Sequence, residues 1–280
     1  MSKTQLFLNF LFTLLLIDSF SAKNDSSIDV KSSLVQTIVN GVTPAGNLFF
    51  VRIQKVNNSE RSCAGAIVDE RWVVTSALCI SHESGQATLP AELRILVRMV
   101  DTSSRGGKRI KATDIVIPAN FNQSLHQNDL ALIRLQRSVP KFRILEICQN
   151  YPASFDTLVI AVGHGSIARG RFKPSGFLRE IKLKISPFQT IDSWLQFDVC
   201  PMNLVCTETF TEDSGLCYND DGSPLFLRGC FSQRPLCLLG IATPTLKDES
   251  PLRDCKGQAD FTSIPYFHDW IFTRIALNMD

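Results

Sequence analysis

The sequence predicts an all-β protein that ends in one helix. Apolar and charged residues alternate in Leu93–Met99 and Glu180–Ile185, as in strands with one buried face. Turn residues such as Gly106-Gly107 and Asp221-Gly222 lie between or beside such segments. Many short strands at this spacing are typical of a β-sandwich or β-barrel.

The other strand candidates are short apolar runs next to turn residues. They are Leu48–Val56, Arg109–Ile117, Leu130–Leu135, Leu158–Val162 and Leu236–Ile241. The segment Pro265–Asn278 departs from this pattern, because its apolar residues recur at three- and four-residue spacing. It is predicted to be a closing helix whose apolar stripe packs on the core.

Composition excludes several classes of protein. The chain has 280 residues, of which 44% are hydrophobic and 20% charged, so neither a disordered protein nor a multi-pass membrane protein is expected. The formal net charge is only +2, which gives no electrostatic basis for binding nucleic acid. The cysteine count of 9 is odd, so at least one thiol is left over from intramolecular pairing.

The N-terminus resembles a secretory leader. Leu6–Ile17 is apolar, too short to span a membrane, and suits the core of a signal peptide better than a buried helix, because polar sequence follows at once. Cleavage is expected after Ser21, with Ala22 as the alternative. The expected domains are a signal peptide at 1–21, a short pro-like segment at 22–37 and one folded domain at 38–280. No later segment is predicted to span a membrane, so we expect a secreted protein with disulfides.

Three sequons fit secretion. They predict N-glycosylation at Asn24, Asn57 and Asn122. Sequons this short also arise by chance, and we expect two of the three to be used.

Segments from one end of the chain to the other follow the motif order of a single family. Ile38–Gly41, Cys63–Ile67 with Trp72–Cys79, Asn128–Leu135 and Cys217–Leu225 resemble motifs of the trypsin-like serine proteases. They correspond to the activated N-terminus, the histidine motif, the catalytic-aspartate strand and the nucleophile loop. The resemblance covers nearly the whole mature chain and implies two six-stranded antiparallel β-barrels with a cleft between them.

Two of the three catalytic positions implied by this resemblance hold other residues. The family needs a serine nucleophile, a histidine base and an orienting aspartate. Leu78 occupies the histidine position and Asp221 the serine position, whereas Asp129 remains. Ser223 is rejected as a shifted nucleophile, because the spacing from Cys217 to the following proline needs no gap. We therefore expect no protease activity.

The substrate cleft also departs from the family pattern. Asn219 stands where the oxyanion hole has a glycine, and Gly215 where trypsin-like enzymes carry the specificity aspartate. Thr243-Pro244-Thr245 replaces the serine-tryptophan-glycine strand that binds substrate backbone.

Activation by a trypsin-like cut is not expected. Gln36-Thr37 precedes Ile38, although Asp220 remains as the partner that the freed ammonium would need. We expect Asp220 to be satisfied by loop N–H groups, and we expect Asp221 to be exposed to water.

None of the four histidines suggests a metal or a cofactor. His82 and His126 are expected on the surface or in loops, His164 replaces a tryptophan usual in the family, and His268 lies on the closing helix. Their spacing does not suggest the converging ligands of a zinc site.

The resemblance also implies disulfides. These are Cys63–Cys79 and Cys217–Cys255, with Cys200–Cys206 in place of the family's disulfide ahead of the nucleophile loop. Cys230 and Cys237 flank an extra hairpin, outside the family pattern, and are expected to close it locally. Cys148 is then free, intermolecular, or exchanged with Cys230 or Cys237.

Together these features predict a secreted, catalytically inactive homologue that acts by binding. It resembles regulatory members in arthropod extracellular cascades and reproductive secretions. Its partner is expected to be a protein, such as an active protease or its substrate. The alternatives are a hydrolase that uses Asp129 with Asp221, and a structural glycoprotein without a specific partner.

Overall fold

The computed structural model describes residues 49–56, 58–82, 84–97, 108–149, 156–166, 177–190, 197–211, 214–228, 236–243 and 257–278. The chain divides into two compact units, Met1–Leu34 and Val35–Asp280. The first unit lies outside the described residues, and so do the predicted leader and the positions of Asn24 and Asn57. All of the described residues belong to the second unit.

The first half of this unit forms a closed sheet. Its strands are β1 (Phe50–Lys55), β2 (Asn58–Asp69), β3 (Trp72–Thr75), β4 (Leu93–Val97), β5 (Lys108–Ile110), β6 (Ala112–Val116) and β7 (Ala131–Leu135). They pair in the order β5-β4-β1-β2-β3-β7-β6. The two edge strands, β5 and β6, are consecutive segments separated only by Lys111. The sheet therefore closes into a barrel of six chain passes.

The second half forms a similar barrel. Its strands are β8 (Glu146–Ile147), β9 (Leu158–Gly163), β10 (Arg179–Ile185), β13 (Leu204–Thr209), β14 (Pro224–Arg228), β15 (Leu236–Ala242) and β16 (Ala259–Ser263). An additional β14–β15 pairing closes the ring β14-β9-β10-β13-β16-β15, and β8 adds to β15 in parallel. The short hairpin β11 (Phe188–Thr190) and β12 (Phe197–Val199) pairs separately. The two six-stranded barrels that the sequence resemblance implied are confirmed.

Three clusters of buried side chains make up the core. One fills the first barrel around Val51 and Ile133, and another fills the second barrel around Val159 and Leu225. The third cluster joins the two barrels through residues such as Phe50, Trp72 and Phe226. This third cluster forms a continuous apolar seam between the barrels. It holds together the two barrels that carry the residues of the candidate site.

Two helices complete the described structure, besides short 3₁₀ turns. Helix α1 (Ala77–Ile80) follows β3, and helix α2 (His268–Leu277) ends the domain. Ile271 and Ile275 of α2 are buried against the seam, as the apolar spacing predicts. The predicted start at Pro265 is wrong, because residues 264–267 form turns and the backbone of Phe267 is not helical. Within the described residues, no helix is long and apolar enough to cross a membrane.

The prediction of one strand at Arg109–Ile117 is also wrong. β5 pairs with β4 at one edge of the sheet, whereas β6 pairs with β7 at the other edge. The chain must turn at Lys111 to make both pairings, so the segment is two strands.

Disulfides tie the barrels internally. Cys63 is bonded to Cys79, and Cys200 to Cys206, in the pairings that the resemblance implies. The predicted Cys230–Cys237 bond is wrong, because Cys237 is bonded to Cys148 across 89 residues. The register of the parallel β8–β15 pair places the start of β15 beside the end of β8, which brings these two cysteines together. Cys217 is disulfide-bonded too, while Cys255 and Cys230 lie outside the described residues.

Candidate active site of the trypsin-like fold

Asp129 is fully buried at the start of the β7 segment and is held by side chains from both barrels. Its Oδ1 accepts hydrogen bonds from the Leu78 backbone N–H at 2.8 Å and the Ser76 hydroxyl at 2.8 Å. Its Oδ2 lies 2.7 Å from the same hydroxyl and 2.8 Å from the Thr243 hydroxyl. Thr262 also donates its hydroxyl proton to the Asp129 carbonyl at 2.9 Å. The aspartate is therefore kept in place by short polar groups.

Burial dominates the electrostatics of this carboxyl. Desolvation raises the pKa of Asp129 above its ordinary value of 3.8, and the nearby charge of Asp221 raises it further. The hydrogen bonds from Leu78, Ser76 and Thr243 act in the opposite direction, because they favour the ionised carboxylate. The result is a carboxyl that retains its proton to a higher pH than an exposed one.

Leu78 lies at the second position of helix α1 and is only half-buried. It meets Asp129 through its backbone N–H, so its side chain supplies neither a proton acceptor nor a proton donor. Ser76, the residue before α1, has its hydroxyl on the aspartate instead of capping the helix.

Sequence reasoning missed Ser76 and did not foresee the role of Thr243. Both small hydroxyl residues lie beside positions where the family pattern has a histidine or a tryptophan, and a lone serine or threonine there predicts no particular role. A serine directly before the altered histidine position was the available signal, since buried carboxylates require donors.

The nucleophile loop closes onto the first barrel. The carbonyl of Asp221 accepts the Ala64 N–H at 2.8 Å, and Gly222 N–H donates to the Ala242 carbonyl at 2.9 Å. Gly222 has φ of +81°, and a Cβ at this position would overlap the Ala64 carbonyl oxygen. This close approach requires glycine.

The expectation that Asp221 is exposed is wrong. Its relative exposure is 9%, which places it among the buried polar residues. The physical reason is the contact between the nucleophile loop and β2. The Ala64 N–H donates to the Asp221 carbonyl, and Gly222 lies against the Ala64 carbonyl, so residue 221 is held against β2. The carboxyl of Asp221 is therefore buried, and it lies close enough to Asp129 for the two charges to interact.

Asn219 occupies the glycine position of the oxyanion loop. Its φ is +74°, so it adopts the left-handed conformation that asparagine tolerates better than most residues. Its buried Oδ1 accepts the N–H of Ser62 at 2.9 Å. The substitution has thus preserved the backbone turn and added a bond to β2.

Asp220 faces the end of β9. Its carboxylate accepts the N–H of Gly165 at 2.7 Å and the N–H of Cys217 at 2.9 Å, which matches the expected satisfaction by loop N–H groups. A Cβ on Gly163 or Gly165 would overlap this carboxylate. The two glycines therefore make room for Asp220. Ile38, its partner in the family's activated form, lies outside the described residues.

The remaining serine and histidines do not form a second triad. Ser223 is fully buried, and its hydroxyl has no hydrogen-bond partner in the described structure. His82 lies 3.8 Å from Glu92, and His268 lies 2.9 Å from Asp269. His164 is buried with its ring against Phe50, and none of the hydrogen bonds to Asp129 comes from a histidine.

Gly215 is buried, two residues before Cys217. Pro244 lies outside the described residues. In the part of the chain that is described, no three His, Cys, Asp or Glu side chains converge as a metal site would require.

Comparison with known proteins agrees with this geometry. Human azurocidin is 27% identical over 228 residues, covering 80% of each chain. Brachyurin of Leptuca pugilator is 25% identical over 221 residues, covering 77% of this chain and 88% of brachyurin. Mouse transmembrane protease serine 11C is 23% identical over 227 residues, and the match spans only 49% of that longer protein.

The fold has a counterpart among solved structures. The structure of human heparin binding protein superposes with a TM-score of 0.66 at 24% identity, over 87% of this chain and 98% of that one. The model of the Trypsin family matches residues 38–271, which include both barrels and every altered catalytic position. The chain with Asp129 held by Ser76, Leu78 and Thr243 therefore belongs to the trypsin family of serine proteases.

Proposed function

We propose that this protein is a secreted, non-catalytic member of the trypsin family that works by binding a protein partner. The observation that carries the proposal is the environment of Asp129. The carboxylate that would orient an imidazole is bound by the Ser76 hydroxyl, the Leu78 N–H and the Thr243 hydroxyl.

The missing side chains remove two separate contributions to one step of acyl transfer, the attack of a nucleophile on the carbonyl. Without an imidazole at position 78, no group next to Asp129 takes a proton from a nucleophile. A buried carboxylate at position 221 is a poor replacement for an activated hydroxyl, and its negative charge would repel an oxyanion forming beside it. Both effects act on the same step, so restoring one residue alone is expected to restore nothing.

The alternative of a hydrolase based on Asp129 and Asp221 receives less support. Acid-base hydrolysis needs one carboxyl that exchanges protons with a bound substrate. Asp129 is fully buried, and both of its oxygens already accept hydrogen bonds from the protein. Asp221 is buried as well.

Secretion and glycosylation are part of the proposal. The apolar leader and the disulfides fit an extracellular protein. Asn122 lies on an exposed turn, where its sequon is accessible to a glycan. The full-length activities of the longer relatives are not implied, because the chain spans about half of the first of them.

Catalytic inactivity is tested with the secreted, purified protein and a serine-directed fluorophosphonate. We expect no labelling and no hydrolysis of peptide or ester substrates, under conditions where active trypsin reacts fully. The double variant Leu78→His, Asp221→Ser is the informative companion, and little activity is expected from it because Pro244 and Thr37 remain. Stable turnover by the unaltered protein through repeated purification would refute the proposal.

Binding is tested by capture from the fluid into which the protein is secreted. One stoichiometric partner that survives high salt supports the binding function. Its absence, with the folded protein as bait, would favour a structural glycoprotein.

A further inference from the structure

One face of the first barrel carries an unusual concentration of positive charge. Strands β1, β4 and β5 lie side by side, and their outward residues are paired in register. We call this surface the basic face. It consists of Arg52, Arg94, Leu96, Arg109, Lys111 and Arg137.

The strand register places these groups together. Arg52 pairs with Leu96, and Leu96 pairs with Arg109, so the three side chains form one row across the sheet. Arg94 lies two residues before Leu96 on the same face, and Lys111 continues β5 towards it. Arg137, in the loop after β7, lies beside this group, since its Nη2 donates to the Arg109 carbonyl at 3.3 Å.

Among the described residues, these cations are not paired with carboxylates. Arg94, Arg109, Lys111 and Arg137 are exposed, and none forms an ion pair within the described part of the chain. Two other surface lysines are paired with carboxylates, Lys184 with Glu208 at 2.7 Å and Lys141 with Glu70 at 3.5 Å. Like charges on neighbouring strands repel, so the basic face is costly for the isolated protein.

Arg52 adds an independent observation. It is only 8% exposed, and its Nε lacks a hydrogen-bond partner among the described residues. A buried Nε–H without an acceptor is costly, because this donor has lost water without gaining a partner. The row Arg52, Leu96 and Arg109 therefore holds two guanidinium groups and no carboxylate.

We propose that the basic face binds an acidic segment of a protein partner. This proposal rests on the binding function above and names the chemistry of the partner. Guanidinium groups suit carboxylates, because their planar donors can make two parallel hydrogen bonds. Leu96 favours a protein over a polysaccharide, because a half-buried aliphatic side chain at the centre of the face offers an apolar contact that a sulfated sugar cannot use.

The probe is a labelled peptide of repeated Glu-Glu-Leu, with a Gln-Gln-Leu peptide as its matched neutral control. Binding to the secreted full chain is followed by fluorescence anisotropy at low and high salt. We expect the acidic peptide alone to bind, with an affinity that falls as salt rises. The double variant Arg94→Gln, Arg109→Gln should lose at least about tenfold in affinity.

The control variant is Lys182→Gln with Arg274→Gln, which removes the same charge from exposed positions on β10 and α2. It should bind the acidic peptide as the unaltered protein does. Leu96→Ala should weaken the Glu-Glu-Leu peptide more than a peptide of glutamate alone. Thermal melting verifies that every variant is folded.

Three results would overturn the proposal. They are equal binding by the double variant and the control, binding of heparin or DNA oligomers in place of the acidic peptide, and loss of binding in both double variants. If a partner captured from the secreted fluid still binds the Arg94, Arg109 variant, the basic face is excluded while the binding function stands.

Discussion

The Oδ1 of Asn219 accepts the backbone N–H of Ser62 at 2.9 Å, joining residues that are 157 positions apart in the chain. Ser62 belongs to the first barrel, and Asn219 lies in the loop that leads to β14 of the second. A residue that replaces a glycine of the oxyanion loop thus forms a buried bond between the barrels.

The first prediction concerns this bond. Asn219→Ala should destabilise the protein by about 2 kcal/mol, because it loses the bond to Ser62 and places alanine at positive φ. Asn219→Gly should cost less, since glycine accepts this backbone conformation without strain. Thermal unfolding of the two variants gives the comparison.

Asn128 provides the control. It also has positive φ, but its side chain bonds only the nearby Asn120 carbonyl at 2.9 Å on an exposed loop. Asn128→Ala is expected to cost less than Asn219→Ala. Equal losses would show that backbone strain, and not the bond between barrels, determines the effect.

The second prediction concerns pH. Because burial raises the pKa of Asp129, the folded protein holds its proton at pH values where the unfolded chain has released it. Stability from this group is therefore greatest below the ordinary carboxyl pKa of 3.8 and is lost as pH rises through the higher folded value. Asp129→Asn should lose less stability than the unaltered protein between about pH 4 and pH 7.

Asp156→Asn is the matched control, because Asp156 is 80% exposed in its side chain. It should follow the pH dependence of the unaltered protein. Asp221→Asn removes a like charge, so it should lower the pKa of Asp129, which NMR titration of that carboxyl can measure. An unchanged pH dependence in Asp129→Asn would contradict the account.

The third prediction separates a steric clash from backbone strain. Gly222 and Gly257 have nearly the same φ, +81° and +83°, but only Gly222 has atoms close to the site of a Cβ. Gly222→Ala should cost more than about 3 kcal/mol, because the Ala64 carbonyl cannot move without disturbing β2. Gly257→Ala should cost only about 1 kcal/mol, the strain term alone. Similar midpoints in denaturant for the two variants would contradict this reading.

The fourth prediction concerns the disulfides. Cys148–Cys237 closes 89 residues and Cys200–Cys206 closes only 6. If restriction of the unfolded chain dominates, removing the first bond should cost about 4 to 5 kcal/mol and removing the second about 2 kcal/mol. Paired Cys→Ala variants, compared by denaturant unfolding, test the ratio. A larger loss for the short loop would mean that native packing around Cys200 matters more.

Alternating strands could be predicted from the sequence, and fully covered strands could not. In Leu93–Val97 buried residues alternate with Arg94 and the half-buried Leu96, so the pattern was visible. In β16 all five residues from Ala259 to Ser263 are buried, because the strand lies between its barrel interior and the other packed elements. Such a strand shows no alternation of apolar and polar residues, so the sequence pattern did not predict it.

The candidate site could be located by motifs, but its burial could not. The positions of Leu78, Asp129 and Asp221 follow from the resemblance, because each lies in a recognisable segment. The burial of Asp221 depends on contacts with Ala64 and Ala242, which are distant in sequence. Pairing of Cys148 with Cys237 likewise depends on the parallel β8–β15 pair, which no local pattern indicates.

The closure of the first barrel at Lys111 bears on how the protein behaves at high protein concentration. β5 and β6 are halves of one chain segment, and together they use both edges of the sheet. A sheet with open edges can recruit strands from other molecules and begin fibrous aggregation. Because β5 and β6 close the sheet of the first barrel, another molecule cannot add a strand to it. Contacts between this sheet and another molecule are then made by side chains. The barrel's surface residues can therefore change during evolution while its backbone hydrogen bonds stay the same.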